Sequence, residues 1–464
     1  MKRPSPIPVA TIVAIAALAI AAPRAAASWW WPFGGRGAAA ETAAEPARHP
    51  AESTPMSSEE LRTASRKERE AENKILQKMA ADGLPQAQVT LGSRLLTGDQ
   101  GLKKNPKKAV EWFRKAADQN HPLAFFNLGL CYDQGLAVEK DPAKALEFYR
   151  QAADRGVGQA QLNVALTLDE RKDYPAALRY YRMAADRGDL PSMRRAGEIL
   201  AGGLAGGAPD YASATTYWRR AAATGDVRSQ VRLAQCLQMG WDVPPDHREA
   251  LNLLWLASEG DDPEALTALG NCYAQGLGTA HDSGRAFKCF RRAAAAGYAP
   301  AQAELGNCYI LGAGVPADPA QGSEWHRKAA SQGDPKGLFG LAADCALGRG
   351  VAKDEAKARE LFAAAAAKGF APAQYNLAAF YEDGVGGEAN LGEAVRLYRL
   401  AAEQDDPLAL SALGHLHLEG RGVPQDRTTA RDLLWRAAKL GVPDARETLA
   451  REFPAAAAAL GLEP

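Results

Sequence analysis

Leu269-Gly270-Asn271-Cys272-Tyr273 and Leu305-Gly306-Asn307-Cys308-Tyr309 spell the same five letters, LGNCY, 36 residues apart. A shared pentapeptide at that spacing predicts a repeated structural unit. Counting outward from Ala301 as position zero, a small residue returns at Ala87, Ala124, Ala160, Ser192, Ser229, Ala265, Ala301, Gly337, Ala373 and Ala409. The steps are 36 or 37 residues, except one of 32. Ten tandem repeats follow from that register.

Each repeat carries the same grammar. In repeat 2, Ala124, Leu128 and Tyr132 stand four apart and share one face of a first helix, helix A. Inside that helix a glycine recurs at Gly92, Gly129, Gly197, Gly270, Gly306 and Gly414. Glycine costs a helix interior about 1 kcal/mol relative to alanine, so its return predicts a second backbone pressing close there. Glycine pairs such as Gly312 and Gly314, Gly348 and Gly350, or Gly420 and Gly422 predict the end of helix A and a turn. Asp141, Asp246, Asp282, Asp318, Asp354, Asn390 and Asp426 are then placed to cap a second helix, with Pro142 and Pro319 in its first turn. Helix B presents Ala145, Phe148, Tyr149, Ala152 and Ala153 as an apolar stripe. A hairpin of this size cannot bury its seam alone, so the repeats must stack on one another.

The recurring pattern of Ala, Leu-Gly, Tyr, Gly-x-Gly, Asp, Ala, aromatic, Lys-Ala-Ala and Gly resembles the Sel1-like repeat, a relative of the tetratricopeptide repeat. ALGNCYAQGLGTAHDSGRAFKCFRRAAAAG, Ala268 to Gly297, shows the match within one repeat. The resemblance covers residues 83–441 and implies an all-α fold: a right-handed superhelical α/α solenoid of about ten helix-turn-helix repeats. It also implies a scaffold or adaptor that holds other proteins, in a bacterial envelope or in the endoplasmic reticulum lumen. Repeat 3 departs from the pattern, since LDERKDYPAALRYY, Leu168 to Tyr181, lacks the glycine loop and four residues.

Outside the repeats, Lys2 and Arg3, the apolar run Val9 to Ala22 and Ala25-Ala26-Ala27 read as an export signal over residues 1–27, cut before Ser28. Residues 28–57 read as a linker that contains Trp29, Trp30 and Trp31, side chains suited to a peripheral membrane contact. Residues 58–82 read as a capping helix, and residues 442–464 as a capping half repeat with a tail. The expected location is the periplasm or the extracellular space, with the endoplasmic reticulum lumen as the alternative.

The chain holds 55 basic and 55 acidic residues, and that balance gives no basic footprint for nucleic acid. It contains no G-x-S-x-G, no G-x-x-x-x-G-K-[ST] and no H-E-x-x-H, so no catalytic, cofactor or metal residues are assigned. Cysteine-rich members of the resembled family are linked to penicillin binding and β-lactam hydrolysis, and a hydrolase of that type is the alternative reading. Against it, Cys272 and Cys289 make repeat 6 alone a two-cysteine repeat. Cys131, Cys236, Cys272 and Cys308 occupy equivalent helix A positions, too far apart for a bridge. Cys289 is the one placed to face Cys272 or Cys308; buried apolar thiols are the competing reading.

A protein or peptide partner is therefore expected along the inner groove, on the helix A row three residues after each small residue. Asn127, Asn163, Arg195, Arg232 and Asn376 stand in that row, with Gln235, Asn271 and Asn307 three residues further on. Asparagine offers donors and acceptors to an extended backbone, and arginine can fork onto a carboxylate. Phe126, Phe339 and Tyr375 stand beside them as expected apolar pockets, and neither arginine is expected to belong to a seam.

Overall fold

The structure, a computed structural model, describes residues 66–461. The expected signal segment, its cleavage point and Trp29, Trp30 and Trp31 lie outside the described residues, as does the first part of the expected capping helix. All regular structure among the described residues is α-helical, in 23 helices. A first helix, Arg66–Ala81, is followed by ten A/B pairs, from Pro85–Thr97 with Pro106–Asp118 to Pro407–Glu419 with Arg427–Lys439. Helices Pro443–Glu452 and Pro454–Ala458 complete the described chain, with Ala445 and Leu449 buried on the first of them.

The arrangement is an α/α solenoid: within each compact body, helix A packs on its own helix B and helix B on the next helix A, as in Pro319–Ser331 against Ala299–Leu311 and Pro335–Leu347. The helices form two compact bodies, residues 66–229 with Trp241–Val243, and residues 230–240 with 244–461. In the second body one apolar core runs from Leu338 through Phe362, Phe380 and Tyr398 to Leu449.

The local signals act as their chemistry requires. Asp141 accepts from the backbone N–H groups of Ala143 and Lys144, and Asp246, Asp282, Asp318, Asp354, Asn390 and Asp426 cap their own B helices in the same way. Gly350 shows why the second glycine of the loop returns. Its φ is +70°, and a Cβ there would lie 2.0 Å from the carbonyl oxygen of Pro319, at the start of the preceding helix B. The loop of one repeat thus seats on the neighbouring repeat.

The glycine inside helix A has a different cause from the expected one. A Cβ on Gly270 would lie 2.6 Å from the ring of Phe290, and one on Gly197 would lie 2.3 Å from Trp218 Nε1. Gly92 meets Phe113, and Gly129 meets Tyr149. At these four positions a large helix B side chain of the same repeat fills the space; at Gly306 the expected second backbone is present as well, the Gly322 carbonyl oxygen of helix B standing 3.0 Å from where a Cβ would lie.

A further device escaped the sequence reading. Gln88, Gln161, Gln302 and Gln374 are buried and donate from Nε2 to the carbonyl oxygens of Ala80, Ala153, Ala294 and Ala366, eight residues earlier at the end of the preceding helix. Gln119, Gln332 and Gln404 in turn donate to the side-chain oxygens of Gln88, Gln302 and Gln374, at 3.0, 2.8 and 2.8 Å. Those carbonyls already accept from the N–H groups of Gly83, Gly156, Gly297 and Gly369; the glutamine adds a second bond and registers repeats 1, 3, 7 and 9 on the helix before each.

Asp406 caps helix A of repeat 10 through the N–H of Ala409 at 2.7 Å and is 1% exposed. Burial pushes its carboxyl up to about 7, against the pull of the Ala409 and Leu408 amides. The folded state therefore holds this proton more tightly than the unfolded chain does. The stability it contributes is complete below the ordinary value of 3.8, falls as pH rises, and is gone above about 7. Asp406→Asn keeps the cap oxygen and removes the titration. Thermal unfolding should show wild type losing a few kcal/mol relative to this variant between about pH 4 and pH 7, and a pH-independent difference would contradict the account.

Candidate partner-binding face

The outward row of helix A is narrower than its sequence suggests. In repeat 2 (helix A Pro122–Gln134), Asn127 is 6% exposed and its Nδ2 has no hydrogen-bond partner. In repeat 9 (helix A Ala371–Asp383), Asn376 is 3% exposed and donates back to Pro372 O at 2.8 Å. Neither amide faces outward, because adjoining helices close over the row at those repeats. Asn163 and Asn271 remain half-buried.

The three aromatics do not form pockets. Phe126 and Tyr375 are buried against the helix B rings Tyr149 and Tyr398, with centroids 5.8 and 5.7 Å apart. Phe339 lies 5.5 Å from both Phe362 and Phe370. Their position points them inward, where ring contacts exclude more water than an open groove would.

The arginines bind the chain itself, which corrects the expectation that they stand clear of the seams. Arg195 of repeat 4 donates from Nε and Nη2 to the two oxygens of Asp169 in repeat 3, at 2.6 and 2.8 Å, and from Nη1 to Glu198 at 2.9 Å. Burial alone would raise the Asp169 carboxyl; the Arg195 fork and the Tyr181 hydroxyl hold it below its ordinary value instead. Arg232 donates to Gln235 at 2.9 Å and to Glu264 of repeat 6 at 3.0 Å. Lys336 pairs with Glu304 at 2.5 Å across repeats 8 and 7. These half-buried pairs join successive A helices, so a partner carboxylate would have to displace one already bound.

Asn307 is also engaged. Its Nδ2 donates to Glu304 and its Oδ1 faces His326 Nε2 at 3.2 Å. What the row does leave open is apolar: Leu166 on helix A of repeat 3 (Gly158–Glu170) is 47% exposed, three residues beyond Asn163. Leu311, at the end of helix A of repeat 7, is similarly exposed. Cys272, Cys289 and Cys308 are buried and unbridged, so neither expected disulfide is present. Burial pushes Cys272 and Cys308 up to about 12 and raises Cys289, which suppresses the thiolate that bridge formation requires. No helix among the described residues is long and apolar enough to cross a membrane.

Ten stacked helical hairpins with a polar, internally paired inner row define an α-helical repeat protein of the kind that serves as an interaction scaffold. The Sel1 repeat family model matches residues 85–121, 122–157, 159–189, 190–226, 227–262, 263–298, 299–334, 335–370, 371–406 and 407–442, and the chain belongs to that family. It is similar to the crystal structure of c5321, a protective antigen of uropathogenic Escherichia coli strains, at 30% identity over 84% of this chain and 83% of that one, with a TM-score of 0.51. A Sel1 repeat protein of Oxalobacter formigenes is similar at 22% identity, covering 87% of this chain and 97% of that one, with a TM-score of 0.41. No curated protein sequence matches the chain. Sel1 repeat proteins are in general protein-interaction scaffolds, and their fold is typically non-enzymatic.

Proposed function

We propose that the chain is an exported adaptor that holds an extended segment of an envelope or secreted protein against the helix A row of its first body. Lys2, Arg3 and the apolar run after them support the export reading. The partner reading rests on one observation above all: Leu166 stands 47% exposed beside the half-buried Asn163, on a row whose arginines and Asn307 are spent on the chain itself. An apolar anchor next to an amide that can bond a peptide backbone is the composition of a recognition subsite.

Arg195 is a poor probe of this subsite, because its removal strands Asp169. The better variant is Asn163→Ala/Leu166→Ala. A partner recovered from envelope extracts with wild-type protein should bind it about tenfold or more weakly, with thermal unfolding little changed. Leu256→Ala, on helix B of repeat 5 and equally exposed, is the matched control. Unchanged affinity in the first variant, or an equal loss in the control, would place the partner elsewhere. N-terminal sequencing of the mature protein should begin at Ser28, and an intact Met1 would overturn the cleavage.

A further inference from the structure

Repeat 7 breaks the packing rule of its neighbours. Where repeats 6 and 8 place Phe290 and Phe362 against helix A, repeat 7 places His326 on helix B (Pro319–Ser331), 1% exposed. The imidazole Cδ2 occupies the space a Cβ would need on Gly306 of its own repeat and on Gly340 of repeat 8. In repeat 8 the helix A seat that holds Cys272 and Cys308 elsewhere is taken by Asp344, 0% exposed. Two polar substitutions thus meet at one seam.

Their hydrogen bonds assign the charge. His326 Nδ1 lies 2.7 Å from Asp344 Oδ2, and Nε2 lies 3.2 Å from Asn307 Oδ1. The Asn307 amide is oriented by its other end, since Nδ2 donates to Glu304 Oε2 at 3.3 Å; turned over, it would set oxygen against oxygen there. Both ring nitrogens therefore face acceptors, and a neutral imidazole has only one N–H. We propose that His326 is a buried imidazolium that locks the seam between repeats 7 and 8, and that the seam loosens when this proton is lost.

The charged groups around the ring are two carboxylates, Asp344 and Glu304, each also paired with a cation on its far side. From repeat 8, Asp344 accepts from the ring, and Arg349 Nη2 lies 3.3 Å from its second oxygen; Ser323 Oγ, 3.1 Å from Asp344, is closer to the Arg349 carbonyl oxygen at 2.5 Å. From repeat 7, Asn307 links the ring to Glu304, whose charge Lys336 holds across the seam. Burial would raise the Glu304 carboxyl, yet Lys336, Asn307 and His326 keep it below its ordinary value. If the ring loses a proton while Asp344 keeps Nδ1–H, the Nε2 lone pair confronts Asn307 Oδ1. The amide must then turn, and its oxygen meets Glu304, the carboxylate that ties repeat 7 to Lys336. Proton loss at the core is thereby transmitted to a pair joining two A helices.

The test uses the full chain. Two-bond proton–nitrogen correlation spectra of histidine-labelled protein, with His326 assigned from its loss in His326→Phe, should show both ring nitrogens protonated at about pH 7. The exposed His281 is the reference. As the pH is raised until the same spectra show one ring nitrogen of His326 deprotonated, amides of residues 335–347 should lose about tenfold more exchange protection than those of residues 371–383 in the same molecule. That excess should vanish in His326→Phe/Asp344→Cys, which restores the residue types of the neighbouring seams. A neutral tautomer at pH 7 in the wild-type spectrum, or equal loss of protection in both segments, overturns the proposal whether or not the double variant folds.

Discussion

Phe362→Ala should lower the unfolding free energy by about 3 to 5 kcal/mol, the cost of emptying a fully buried aromatic site. Phe362 is 0% exposed on helix B of repeat 8 (Glu355–Ala367), with Phe339 of its own repeat 5.5 Å away and Phe380 of repeat 9 at 5.2 Å. It therefore belongs to two interfaces at once, and its removal takes a tilted ring contact from Phe339 and an edge contact from Phe380. Because stacked repeats contact mainly their neighbours, the damage should be local. Denaturant midpoints should fall, and amide exchange should speed first between residues 335 and 402. Trp255→Ala, at a site 53% exposed, should stay within about 0.5 kcal/mol of wild type. A Phe362→Ala cost below about 1 kcal/mol would mean that the helix B plug is not what holds successive repeats together.

Asp344→Ala should cost a similar amount, about 3 to 5 kcal/mol, for a different reason. The carboxylate takes His326 Nδ1 and pairs with the Arg349 guanidinium in a fully buried site. Removing it leaves the His326 Nδ1–H without an acceptor, and a buried donor that loses its partner keeps the whole desolvation penalty, whereas the Ser323 hydroxyl keeps the Arg349 carbonyl oxygen at 2.5 Å. The double variant His326→Phe/Asp344→Cys deletes both sides of the bond and should recover most of the loss. Equilibrium unfolding of wild type, the single variant and the double variant separates the two effects. If the single variant unfolds like wild type, the buried cluster contributes nothing to this seam.

Much of the molecule could be read locally. A cap such as Asp282 or Asp318 acts on amides two or three residues away, and a stop glycine such as Gly312 acts on its own φ, so their recurrence at a constant period announces helix ends directly. The His326 cluster left a legible trace as well: stepping 36 residues from Phe290 to His326 to Phe362, and from Cys308 to Asp344, exposes two polar residues in core seats. What that comparison lacks is the contact itself, 18 residues apart in the chain and 2.7 Å apart in space.

The inner row marks the limit of such reading. Periodicity told which residues of helix A share a face, and it placed Asn127, Asn163, Arg195 and Arg232 on one line. It could not tell that adjoining helices seal Asn127, or that Arg195 meets Asp169 across 26 residues of chain. Period, caps and turns are properties of residues a few places apart, so the repeat, its hairpin and the number of copies were written in the order of residues alone. Exposure and charge pairing belong to side chains that approach only after neighbouring repeats have stacked. Tertiary structure alone therefore decided which polar groups are closed off, which are spent on one another, and that Leu166 is left open beside Asn163.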